Sequence, residues 1–131
     1  CQVLMMRLKT DLLEIINCAT KNKINKINII WNKKSCITIV LCAKGYPSSY
    51  IKDSEIKNLS KILSDKNNQI FHAGTYEKNG KIFSKSGRVL NITSLSRHLE
   101  EARDRSLDNL NKINWPDGFF RKDIGWKIIK K

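Results

Sequence analysis

Apolar side chains recur at Leu4, Leu8, Leu12, Ile15 and Ile16, with Arg7, Lys9, Asp11 and Glu14 between them, so residues 3–19 predict one amphipathic helix. Its first residues include no obvious N-cap, so the helix is expected to be entered from upstream structure. After "ATKNKINK" the pattern changes to an uninterrupted apolar run, "ITIVLCA" at Ile37–Ala43, which predicts a buried strand over 35–43 and is far too short to cross a bilayer. Gly45 and Pro47 in "KGYPSSY" supply the turn that ends it.

Residues 48–68 are polar apart from Ile56, Leu59, Ile62 and Leu63, a pattern that predicts a loop holding one brief helical or extended element. "QIFHAGTYE", then Asn79–Gly80, then "KIFS" predicts a hairpin, because Asn–Gly favours the type I′ turn that matches strand twist. "KSGR" turns into a further strand at Arg88–Thr93. From Ser96 the period becomes helical. Ser96 or a neighbour is the expected cap, Glu100 and Glu101 occupy the first turn, and Leu99, Ala102, Leu107, Leu110 and Ile113 form the buried stripe. Arg103, Asp104, Arg105 and Asp108 then read as a solvated face, and "NWPDG" ends the helix. This order predicts an α+β fold with a small, mainly antiparallel sheet and one long packed helix.

A chain of 131 residues suits one domain. The net charge of +13 and pI near 9.8 would ordinarily suggest a nucleic acid or anionic membrane partner. Here Lys far outnumbers Arg, and the lysines interleave with Ile and Asn, as in "NKINKINIIWNKK", rather than forming a block. That is the profile of a coding sequence rich in A and T, so neither nucleic acid nor membrane is the expected partner. Cys1, Cys18, Cys36 and Cys42 have neither zinc-site spacing nor the density of a disulfide framework, which points to a reducing compartment. With His72 and His98 far apart, no metal cluster is expected.

No nucleophile–base pair and no Gly-rich phosphate loop can be read, so this segment alone is not expected to catalyse a reaction. Three polar groups stand where elements end. In "FHAGT", Gly74 permits close backbone approach beside His72 and Thr75. In "SGRVL", Gly87 is expected to adopt positive φ ahead of Arg88, fixing a cation at a strand start. "GFFRKDIGW" sets Arg121, a planar fork suited to phosphate or carboxylate, beside Lys122, with Asp123 able to orient one of them or cap a turn. Phe119, Phe120 and Trp126 are expected to anchor this segment by burial.

Taken together and in register, "CQVLMMRLKTDLLEII", "AKGYPSSY", "FHAGT", "SGRVLNITSL" and "FFRKDIGW" closely resemble the C-terminal third of the phosphoribosylamine–glycine ligases, over essentially the whole chain. Cys1 and Gln2 match the last two positions of that family's Arg-Phe-Gly-Asp-Pro-Glu-x-Gln signature, and Lys44 and Ser86 stand where the family often has Gly.

The resemblance implies ligation of glycine to 5-phosphoribosylamine with ATP, in purine biosynthesis and in the cytoplasm, with Mg2+ or Mn2+ and ATP held by upstream domains of the same chain. It implies that residues 1–31 close an ATP-grasp domain and that 32–131 form the C-terminal domain, a sheet with barrel-like, hybrid-motif curvature. It also implies that Arg121 and Lys122, with Arg88 as a second candidate, face the substrate phosphate, with Gln2, His72, Gly74 and Asp123 as possible supporting residues. Two other readings stand beside it: a basic nucleic-acid-binding module, whose binding would weaken steeply with salt, and a non-catalytic barrel-type interaction domain.

Overall fold

Along Ser35–Ala43 burial alternates: Ile37, Ile39, Leu41 and Ala43 are buried and the residues between them half-buried, so this strand has a core face and a second, partly open face. The computed structural model describes residues 1–62 and 65–129; Leu63, one of the apolar positions expected to order the 48–68 segment, lies outside them. In chain order the elements are α1 (Gln2–Arg7), α2 (Leu12–Thr20), β1 (Ser35–Ala43), β2 (Glu55–Ile56), β3 (Asn68–His72), β4 (Thr75–Lys78), β5 (Lys81–Ser84), β6 (Arg88–Ser96), α3 (Leu99–Lys112), β7 (Gly118–Phe119) and α4 (Trp126–Ile129), with short 3-10 turns at Ile24–Lys26 and Leu59–Lys61. The α+β expectation holds. All strand pairs are antiparallel and lie in two open sheets, β3-β6-β1-β7 and β2-β5-β4, with no closed barrel among the described residues.

β6 is flanked by β3 and β1 and is packed by α1 and α3, so everything after Arg88 in it is buried. Ile37, Ile39 and Leu41 stand opposite Ser94, Ile92 and Leu90, and the core continues into Ala102 and Leu110 of α3. Ser106 donates to Ser94 across this contact at 2.8 Å, with both residues fully buried. Trp115, just past α3, donates its indole N–H to Ser54 at 2.6 Å and ties the smaller sheet to the core.

The predicted single helix over 3–19 is two helices. Between them Leu8 is extended and bridges Trp31, Lys9 N–H donates to Ile30 at 2.9 Å, and Asn32 N–H donates to Arg7 at 2.6 Å. Asp11 then caps α2, its carboxylate accepting from Leu13 N–H at 2.7 Å and Glu14 N–H at 3.3 Å. No residue of α1 or α2 is buried, and Leu12, Leu13 and Ile16 are exposed.

The Asn79–Gly80 hairpin forms as predicted, with φ of 54° and 71°, but it joins β4 to β5 alone. "QIFHAGTYE" breaks at Ala73–Gly74, and β3 joins the other sheet. In α3 the buried residues are Ala102, Ser106, Asn109 and Leu110, while Leu99, Leu107 and Ile113 are half-buried. Ser96 is not its cap: His98 occupies that position without a side-chain bond, and Ser96 donates to Glu101 at 2.7 Å, holding that carboxyl below its usual range.

Replacing Ser106 with Ala removes the partner of a buried hydroxyl and should cost about 1–3 kcal/mol, whereas the Ser94→Ala/Ser106→Ala pair should be nearly neutral. Urea midpoints of the two variants check this.

Candidate phosphate-binding cleft

On the second face of β1, Thr38 and Val40 stand opposite Thr93 and Asn91, and the two threonine hydroxyls are 2.6 Å apart. Leu90, Ile92 and Ser94 alternate onto the core face, so by parity Arg88 would point there too. A β-bulge prevents this: Leu41 pairs Leu90 but Cys42 pairs Arg88, leaving Val89 as the extra residue. Val89 is fully buried, and its carbonyl accepts from both Ala73 and Gly74 N–H, at 3.0 and 3.1 Å. Arg88 is thereby turned to the open face.

There Arg88 lines a cavity of ≈ 530 Å³ together with Gln2 from α1, Thr38, Val40, Tyr46 and Asn91. A second cavity of ≈ 370 Å³, walled by Cys42, Pro47, Phe119, Phe120 and Ile124, carries Arg121. Thr38, Val40 and Tyr46 belong to both, so the two are lobes of one cleft. Arg88 and Phe119 pair with Cys42 from opposite sides, which sets β6 and β7 about 10 Å apart, and Arg121 follows two residues after β7.

Gly87 does not have the expected positive φ; its role is close packing, since a Cβ there would overlap the Tyr46 ring. Gly74 meets a neighbour in the same way: a Cβ would overlap Ser86, whose hydroxyl donates to the Arg88 carbonyl at 2.9 Å. His72 is an exposed sheet residue opposite Leu90, its Nδ1 2.8 Å from the Thr75 hydroxyl. It does not line the cleft.

In the last segment Phe120 and Ile124 pack on the core, whereas Phe119 and Trp126 are 39% and 44% exposed, so two of the three expected aromatic anchors are not buried. Arg121 donates from Nε and Nη2 to the two Asp123 carboxylate oxygens, at 2.9 and 2.6 Å. The pair raises the guanidinium's pKa and holds the Asp123 carboxyl below its usual range. Lys122 is exposed, and its carbonyl accepts from Arg103 Nη2 at 2.6 Å, so Arg103 is not part of the solvated face. The bulge and Tyr46 are the parts of the site that sequence reasoning missed.

Residues 36–127 match the family model described as phosphoribosylglycinamide synthetase, C domain. The chain belongs to that family. It is 41% identical over its full length to the phosphoribosylamine–glycine ligase of Brucella melitensis and 42% identical to the chloroplastic one of Arabidopsis thaliana, and it spans 31% and 25% of those proteins. The crystal structure of the phosphoribosylamine–glycine ligase of Thermotoga maritima superposes with a TM-score of 0.63 at 27% identity, covering 84% of this chain and 27% of that one. The family domain thus contains both cleft arginines. Among the described residues no helix is long and apolar enough to cross a membrane, and no group of three or more His, Cys, Asp or Glu could hold a metal ion.

Burial pushes the Cys42 thiol up and Arg88 opposes that shift. Arg88→Ala should therefore raise the Cys42 pKa further and move the pH profile of its alkylation to higher pH, as read by peptide-resolved mass spectrometry.

Proposed function

We propose that this chain is the substrate-side part of a phosphoribosylamine–glycine ligase and that its cleft holds the 5-phosphate of phosphoribosylamine between Arg88 and Arg121. Family membership supports the first half of this reading. The second rests on a single observation, that Arg88 at the start of β6 and Arg121 just past β7 line adjoining lobes around Thr38, Val40 and Tyr46. Arginine forks match phosphate oxygens.

In the whole enzyme, ATP phosphorylates the glycine carboxylate; the amine of phosphoribosylamine attacks the acyl phosphate, forming the amide and releasing phosphate and ADP. Anchoring the ribose phosphate here fixes where the amine stands, a contribution of position rather than of proton transfer. Gln2 and Asn91 offer amide groups to the sugar beside Arg88, and Lys122 adds a solvent-exposed positive charge near Arg121. The described residues do not fit a metal site, so ATP and Mg2+ or Mn2+ belong in this reading to the upstream ATP-grasp part of the enzyme. Residues 1–31 are its end, and 32–131 are the C-terminal domain. The proposed compartment is the cytoplasm.

In the intact ligase, Arg121→Ala and Arg88→Ala should each raise KM for phosphoribosylamine about ten- to a hundredfold, the value of one charge-assisted hydrogen bond. KM for ATP should stay unchanged. Steady-state kinetics with each substrate varied in turn provide the test, and an unaltered amine KM would remove the phosphate assignment.

A further inference from the structure

Arg121 is not a free cation waiting for an anion. Its guanidinium has five N–H donors, and Asp123 takes two of them, both from the edge formed by Nε and Nη2. The end-on edge, with one N–H on Nη1 and the other on Nη2, is left over. That edge is itself a two-donor fork of the shape that suits two oxygens of a phosphate.

Asp123 is in turn held from both sides. Its carbonyl accepts from Trp126 N–H at 3.1 Å, and the next residue, Ile124, packs against the core. On the other side Arg103 of α3 grips the Lys122 carbonyl at 2.6 Å. With the backbone at Asp123 so held, the two hydrogen bonds to its carboxylate restrict rotation about the long Arg121 side chain, which is itself 68% exposed.

We propose that Asp123 is a positioning residue for substrate phosphate: it occupies the side-on edge of Arg121 and presents the end-on edge to the cleft. This rests on the phosphate reading above. Two effects of the carboxylate oppose each other. Its hydrogen bonds order Arg121, which favours binding, and its negative charge repels a phosphate, which disfavours it. Replacing Asp123 with Asn removes the charge and keeps an acceptor, whereas Ala removes both.

The test is made on the intact ligase with Asp123→Ala, Asp123→Asn, Arg121→Ala and the Asp123→Ala/Arg121→Ala pair. Asp123→Ala should raise KM for phosphoribosylamine about two- to tenfold, the range set by leaving one long side chain to be ordered on binding. The values of kcat and of KM for ATP and glycine should not move. Asp123→Asn should bind the amine at least as tightly as the parent enzyme, and Asp123→Ala should have no further effect once Arg121 is Ala. A lower or unchanged KM in Asp123→Ala, with Arg121→Ala still impaired, would overturn the positioning role alone. No effect of Arg121→Ala would overturn the phosphate reading and this proposal with it.

Discussion

The bulge between Leu41 and Cys42 is the constraint on which the rest of the site depends. Strand side chains alternate with a period of two, so one extra residue reverses the facing of everything beyond it. Before the bulge, Leu90, Ile92 and Ser94 build the core with β1 and α3; beyond it, Arg88 faces the cleft and Val89 is buried in its place. A cation is thus set at the end of a fully buried strand without being buried itself, which spares it the large cost of desolvating an unpaired charge. The two N–H groups that converge on the Val89 carbonyl, and the Cβ-free Gly74 that lets them approach, are what hold this local departure from the ladder.

The cleft is assembled from pieces distant in sequence, each placed by a different force. Hydrogen-bond pairing on opposite sides of Cys42 brings Arg88 and the Phe119 strand to one end of β1. Apolar packing fixes Phe120 and Ile124, and with them the turn that carries Asp123. The Tyr46 ring fills the space left by the missing side chain at Gly87 and walls both lobes. Charge then acts at short range, in the Arg121–Asp123 pair, rather than through the overall excess of lysine.

Much of the fold could be read from the chain because its signals are local. The apolar run at 37–43, Asn79–Gly80, and the apolar spacing with two acids after Ser96 each determine their element with little help from elsewhere. The break at Leu8–Asp11 was hidden because helical periodicity carries across it, although Thr10 and Asp11 held the signal: one side chain accepts from Ile30 N–H and the other caps α2. The bulge could not be read at all, since it exists only in the register between strands far apart in sequence. A cation at the start of β6 is legible at Arg88, but what turns it outward is the bulge and not a positive φ at Gly87. Arg121 and Asp123 were legible as a pair two residues apart; which edges of the guanidinium they share was not.

In the proposed function Arg88 and Arg121 grip one and the same phosphate. A double-mutant cycle on ribose 5-phosphate binding to the intact ligase, by calorimetry on the parent enzyme, Arg88→Ala, Arg121→Ala and the pair, measures this most directly. A shared anion predicts non-additive losses, with a coupling of about 0.5–3 kcal/mol. Additive losses, or the same losses for ribose without its phosphate, would contradict it.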